Sequence, residues 1–189
     1  YDGTDYSTPA TVSINISAVN DVKPSYFSPA TNYLTEAQPI AVVIGDFIKD
    51  GKKDIAAACA STHSIVLFKG IGFGDFAQVN NIPINGTPIA MVAADFNTDY
   101  KIDIAVAVQE NKIIFLYNTD NQGGFSQREL DLGFVPNGLI TDRFDGEAKP
   151  DLATLSDGNT LCVIYNDHSS IQHFNVGGTI LVALASGDY

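Results

Sequence analysis

The chain carries one acidic motif three times over, and that repetition limits what it can fold into more than any other feature. The motif reads DFIKDGKKD at Asp46–Asp54, DFNTDYKID at Asp95–Asp103 and RFDGEAKPD at Arg143–Asp151, spaced 49 and 48 residues apart, and a truncated fourth copy opens at Asp188. Pro39, Pro88 and Pro136 each stand seven residues before the first motif position, and Phe76, Phe125 and Phe174 follow it by 30, 30 and 31. Such a fixed period means one supersecondary unit, stacked on copies of itself.

Each copy contains the same strand pattern. Apolar segments enter the motif at Ile40–Gly45, Ile89–Ala94 and Gly138–Asp142 and leave it at Ile55–Ala60, Ile104–Val108 and Leu152–Leu155. A third apolar run follows at Ser64–Phe68, Ile113–Tyr117 and Leu161–Tyr165, and a fourth strand surrounds the recurrent Phe. Short strands joined by Gly- and Asn-rich hairpins, with no stretch of helical period, predict an all-β fold. Its architecture is a partial β-propeller of about three four-stranded blades plus the start of a fourth. The blades run over 39–87, 88–135, 136–179 and, cut short, 180–189. Small residues in the second strand (Ala56, Ala58, Ala105, Ala107, Ala153) suit crowded sheets, and Phe47, Phe96, Phe144 and Tyr189 are placed to anchor each loop between blades.

Residues 1–27 read as the end of a separate β domain and its linker, with 28–189 as the propeller repeats. From Ala10 to Ala18 apolar and polar residues alternate, as in a half-buried strand. The stretch INISAVNDVKPSYF resembles the closing strand and linker of cadherin-like extracellular repeats, which implies a calcium-linked junction with only Asn20 and Asp21 carrying over. An Ig-like or plain edge strand and turn fits the same residues.

The chemistry lies in the motif. Asp95, Asn97, Asp99 and Asp103 place side-chain oxygens at its first, third, fifth and ninth positions. Three carboxylates confined to a tight loop repel one another unless a hard cation sits between them, and Ca2+, which takes roughly six to eight oxygen ligands, meets that demand with the Lys101 carbonyl and water as further ligands. Copy one keeps Asp46, Asp50 and Asp54 with the Lys52 carbonyl, but Ile48 replaces the third ligand, so a weaker or more hydrated site is expected. In copy three Arg143 replaces the first Asp, and its guanidinium is expected to pair with Asp145, Glu147 or Asp151 in place of the ion.

Composition narrows the partners. A net charge of −12 argues against nucleic acid and anionic membrane surfaces. No run of 18 apolar residues marks a membrane span. Cys59 and Cys162 fall on strands two repeats apart and are expected to be buried free thiols. His63, His168 and His173 lack the spacing of a metalloprotease, and no nucleophile motif occurs, so the segment is expected not to be an enzyme. Gly70-Ile71-Gly72-Phe73-Gly74 is followed by no helical pattern and reads as a hairpin rather than a nucleotide loop. Sequons at Asn15-Ile16-Ser17 and Asn85-Gly86-Thr87 fit a glycoprotein.

With the pattern D-F-N-x-D-x-x-x-D-I/L-A, the Pro seven residues ahead and the closing G-x-F, residues 28–189 are similar to the FG-GAP/VCBS repeat family, which builds the propeller of integrin α subunits. The resemblance implies calcium in the loop between the first two strands of a blade, and a role in cell adhesion, matrix binding or sugar recognition. The expectation is thus an integrin-like, extracellular or cell-surface calcium-binding repeat module for adhesion or protein–protein recognition, with an extracellular protein or glycan as ligand. Alternatives are a carbohydrate-binding, lectin-like propeller or the accessory propeller of a larger polysaccharide-acting enzyme. Three complete repeats do not close a ring, so exposed blade faces are expected.

Overall fold

A computed structural model describes residues 31–35, 38–156, 160–165 and 170–176. The chain divides into two compact units, residues 1–32 and 33–189, and the described strands all lie in the second. The cadherin-like reading, the sequon at Asn15, His168 and the fourth motif copy with Tyr189 lie outside the described residues.

Strand follows strand in the order the repeat dictates. The first sheet is β1 (Pro39–Gly45), β2 (Asp54–Cys59), β3 (Ser64–Gly72) and β4 (Asp75–Pro83). The second is β5 (Pro88–Ala94), β6 (Asp103–Val108), β7 (Lys112–Asn118) and β8 (Phe125–Asp131). The third is β9 (Pro136–Asp142), β10 (Asp151–Ser156), β11 (Thr160–Ile164) and β12 (Ile171–Asn175). Each is a four-stranded antiparallel meander, and no helix occurs among the described residues. Consecutive pairing keeps every hydrogen-bonded strand contact local to one repeat, so the sheets are held to one another by side chains. These are propeller blades.

Residues alternate faces along a strand, and each blade therefore offers an apolar surface to both neighbours. From the first blade Ala56, Ala58, Ile65 and Leu67 pack with Met91, Ile104, Val106, Ile114 and Leu116 of the second. The second blade turns Ala105, Ala107, Ile113 and Phe115 to Leu139, Leu152, Cys162 and Ile164 of the third. Alanines in the middle strands let the sheets approach. Cys59 and Cys162 are buried in separate blades and form no disulfide, and burial pushes the Cys162 thiol up to about 11.

The anchoring aromatics behave unequally. Phe47 is buried in the first seam and Phe96 in the second, edge-on to Phe125 and Phe115 respectively. Phe144, at the same position of the third loop, stays 41% exposed. It lines an open apolar groove of about 420 Å³ with Ile140, Leu161, Val163, Tyr165 and Phe174. At the other end Ile40, Val42 and Ile44 of β1 are exposed, while Tyr33 packs edge-on against Phe68 and Phe76.

Candidate metal centre

The three loops join the first two strands of each blade. In the second, Asp95 Oδ1 accepts from Asp99 N (3.1 Å) and Oδ2 from Tyr100 N (2.8 Å), and Asn97 Oδ1 accepts from the same Asp99 N (3.0 Å). Asp99 Oδ1 then accepts from Lys101 N (2.9 Å). The first loop repeats this: Asp46 accepts from Asp50 N (3.1 Å) and Gly51 N (3.0 Å), and Asp50 from Lys52 N (3.0 Å). Short side chains that bond to backbone two to five residues ahead fold the loop over themselves. Such a fold needs left-handed backbone at the fourth and sixth positions, with φ of 57° at Lys49 and 81° at Gly51, and of 61° at Thr98 and 63° at Tyr100.

The ninth position has a different role. Asp54, Asp103 and Asp151 are fully buried. Asp103 accepts from Phe96 N (3.1 Å) on one oxygen and from Asn118 N at the end of β7 (2.8 Å) on the other. Asp54 does the same with Ile48 N and Gly70 N, each at 2.9 Å. Asp151 accepts from Phe144 N at 2.8 Å. This carboxylate therefore staples the loop, and in the first two blades joins it to the third strand.

A further clamp lies outside the motif, among residues to which the sequence pattern assigns no role. Asn118 is buried and donates from Nδ2 to the Phe47 carbonyl of the preceding blade (2.8 Å) and to that of Ile102 (3.3 Å). Its echo, Asn166, lies 48 residues on, and that spacing is the one signal the sequence holds for it. Blade one has Gly70 at this place, because a β-carbon there would stand 2.3 Å from the Lys53 carbonyl oxygen.

Electrostatics follow the geometry. Burial pushes the Asp103 carboxyl up to about 6; the N–H groups of Asn118 and Phe96 pull the other way, and the charges of Asp99 and Asp95 add to the rise. For Asp99, burial is outweighed by the Lys101 ammonium and backbone N–H, which hold it below its ordinary range. Lys69 above all, with Lys52, pulls Asp50 down to about 2. Lys52 Nζ and Lys69 Nζ lie 3.3 and 3.0 Å from the same Asp50 oxygen, and Lys101 pairs with Asp99.

Among the described residues no three His, Cys, Asp or Glu side chains gather closely enough to hold a metal unaided. The second loop nonetheless fits a hard cation in kind. Asp95 and Asn97 aim oxygens at one N–H, and each carboxylate oxygen that accepts one bond keeps further acceptor capacity. The ligands there would be Asp95, Asn97 and Asp99 with the Lys101 carbonyl, and Asp103 would act from the buried side; in the first loop they would be Asp46, Asp50 and the Lys52 carbonyl, with Asp54 behind. The third loop lacks the first carboxylate. Arg143 makes no ion pair among the described residues, contrary to the expected mimic. Because the loop is held by Asp151 and by Asp145 accepting from Glu147 N, the guanidinium is spared and turns to a cleft of about 740 Å³ lined by Asp95, Thr98, Tyr100, Arg143, Glu147 and Lys149.

Residues 46–106 match the FG-GAP-like repeat family. The matched FG-GAP-like stretch runs from the first loop to β6 and so contains the first two motif copies. No curated protein matches the chain. Among solved structures it is similar to BBS1N in complex with ARL6DN, at 16% identity and a TM-score of 0.56 over 77% of this chain and 42% of that one. A protein from Lactobacillus plantarum matches at 14% identity and 0.54, over 80% and 44%. A humanized mutant of the Chaetomium thermophilum Polycomb Repressive Complex 2 matches at 19% and 0.52, over 67% and 27%. The chain thus spans less than half of each. These likenesses agree with the repeat in assigning a propeller fold.

Proposed function

We propose that these FG-GAP-like blades form a calcium-clasped, non-enzymatic recognition module of an extracellular or cell-surface protein, used for protein–protein contact or adhesion. The observation that carries the calcium reading is the shared turn of the first two loops, in which position one accepts from the N–H groups of positions five and six, position five accepts from that of position seven, and in the second loop Asn97 shares the Asp99 N–H. Protein recognition is supported by the likeness to BBS1N, solved in complex with ARL6DN.

Calcium titration by calorimetry, with thermal melts in calcium and in chelator, tests the reading. Extracellular modules bind at about 10⁻⁴ to 10⁻³ M. Calcium at about 100 times Kd adds about 2.7 kcal/mol, which raises the melting temperature by about 5–10 °C for a chain of this size. Asp95→Ala and Asp99→Ala are expected to abolish the tighter site and Asp50→Ala the weaker one, with Glu147→Ala leaving both intact. Equal losses from all four variants, or no heat on titration, would overturn it.

A second reading, a carbohydrate-binding propeller or the accessory propeller of a polysaccharide-acting enzyme, draws on the cleft. Tyr100 is 85% exposed there beside donors Arg143 and Lys149 and acceptors Asp95 and Glu147, a mixture suited to hydroxyl groups. Selective binding on a glycan array at millimolar calcium, lost in Tyr100→Ala, would favour this reading over protein contact.

A further inference from the structure

The hairpin between β3 and β4 carries an aromatic that the fold does not use. Its two-residue turn is Phe73-Gly74, with φ of 56° and 86°, the double left-handed geometry of a type I′ turn. A β-carbon at the first of these positions meets the following carbonyl at a cost of about 1 kcal/mol or more, which Asn and Asp offset with local hydrogen bonds from their short polar side chains and Phe does not. Phe73 accepts that strain while fully exposed, and Ile71 beside it is 53% exposed. The corresponding hairpin of the second blade is polar: Asp120 Oδ1 accepts from Gln122 N (2.8 Å) and Gly124 N (2.9 Å) and so holds its own turn. Nothing in blade packing therefore explains an apolar tip on the first blade.

The tip is also tied at its base to Tyr33 and has lysines beside it. Tyr33 accepts from Phe76 N at 3.2 Å, and its hydroxyl lies 3.4 Å from the Gly74 carbonyl oxygen. Lys69 precedes the hairpin on β3, Lys52 and Lys53 lie against Gly70, and Lys49 precedes Asp50, whose carboxylate meets Lys69; four of the ten basic residues in a chain of net charge −12 thus gather at the base, with Asp50 among them and Asp75 after the turn. Lys52 and Lys69 share Asp50, whereas Lys49 and Lys53 are exposed and make no ion pair among the described residues.

We propose that this hairpin is a docking knob, which seats Phe73 and Ile71 in an apolar pocket with an acidic rim on a partner protein. The inference rests on the protein-recognition reading and names the surface and the partner chemistry. A preformed aromatic anchor loses little entropy on binding, and central aromatics surrounded by charge are the anatomy of interface hot spots. Lipid is the poorer occupant: the net charge opposes an anionic surface, and two apolar side chains offer only about 1.5–3 kcal/mol each, too little for stable anchoring.

The test pans a random peptide library displayed on phage against the protein in calcium, with the Phe73→Asn protein alongside. Phe73→Asn suits the turn, so its melting temperature is expected to hold or rise by about 2–4 °C. Enriched peptides are expected to combine Asp or Glu with large apolar residues, to bind Phe73→Asn about thirtyfold more weakly, and to bind Lys49→Glu/Lys53→Glu about three- to tenfold more weakly. Peptides that bind both proteins alike would overturn the knob and leave the recognition reading standing; a library that enriches nothing would count against both. Sedimentation with phosphatidylcholine–phosphatidylserine vesicles, lost in Phe73→Asn, would assign the tip to lipid and overturn the proposal.

Discussion

In chelator, Asp103→Ala is expected to lower the unfolding free energy by about 2–4 kcal/mol, read from urea melts. Its carboxylate is fully buried and accepts from two backbone N–H groups, Phe96 and Asn118. Each orphaned buried donor costs about 1–3 kcal/mol, because water cannot enter to replace the lost acceptor. Removing the carboxylate also removes its own burial penalty, visible as the rise of its pKa to about 6, which takes back part of the loss. Asp103→Asn keeps one acceptor and turns an amide toward the other donor, so it should fall between Ala and wild type. Asp95 accepts two N–H groups as well, but near the surface, where water substitutes; Asp95→Ala in chelator should cost about 1 kcal/mol. The ninth position would then be a metal-independent staple, and the calcium linkage would reside in positions one to five. A loss no larger at Asp103 than at Asp95 would refute that division.

Sequence and structure agree where periodicity governs. Pro39, Pro88 and Pro136 open β1, β5 and β9, and the third strand begins at Ser64 and Lys112 in the first two blades, within a residue of expectation. These positions repeat because the same backbone hydrogen bonds recur in every blade. Roles that depend on a neighbour are not legible in the same way. Asp103 has the spacing of a ligand, and only the register that brings Asn118 N to it reveals the staple. Asn118 clamps the carbonyl of Phe47, 71 residues away, a partner that no local pattern indicates. The motif puts Arg143 in an ion's place, yet the third loop already closes on Asp151 and Asp145, so the guanidinium faces the cleft. Strand β3 runs past the expected end at Phe68 to Gly72, since its glycines read as turn and give no sign that strand pairing continues through them.

Phe47→Ala and Phe96→Ala are each expected to cost about 3–5 kcal/mol, the range for deleting a fully buried aromatic from a seam that cannot collapse around the cavity. Phe47 lies against Gly45, with ring atoms 3.0 and 3.2 Å from where a β-carbon would stand, so no side chain is there to move into the gap. Phe96 loses its edge-on contact with Phe115, at 5.6 Å between centroids. Phe144 occupies the identical motif position but is 41% exposed in an open groove, so Phe144→Ala should cost no more than about 1.5 kcal/mol. The three variants share one motif position and differ chiefly in how far the ring is buried. Parallel denaturant melts therefore measure seam closure directly. Equal losses at all three positions would mean that the groove beside Phe144 is filled in solution, by residues beyond the third blade or by a second molecule, and a protein-concentration dependence of the Phe144→Ala melt would separate those two.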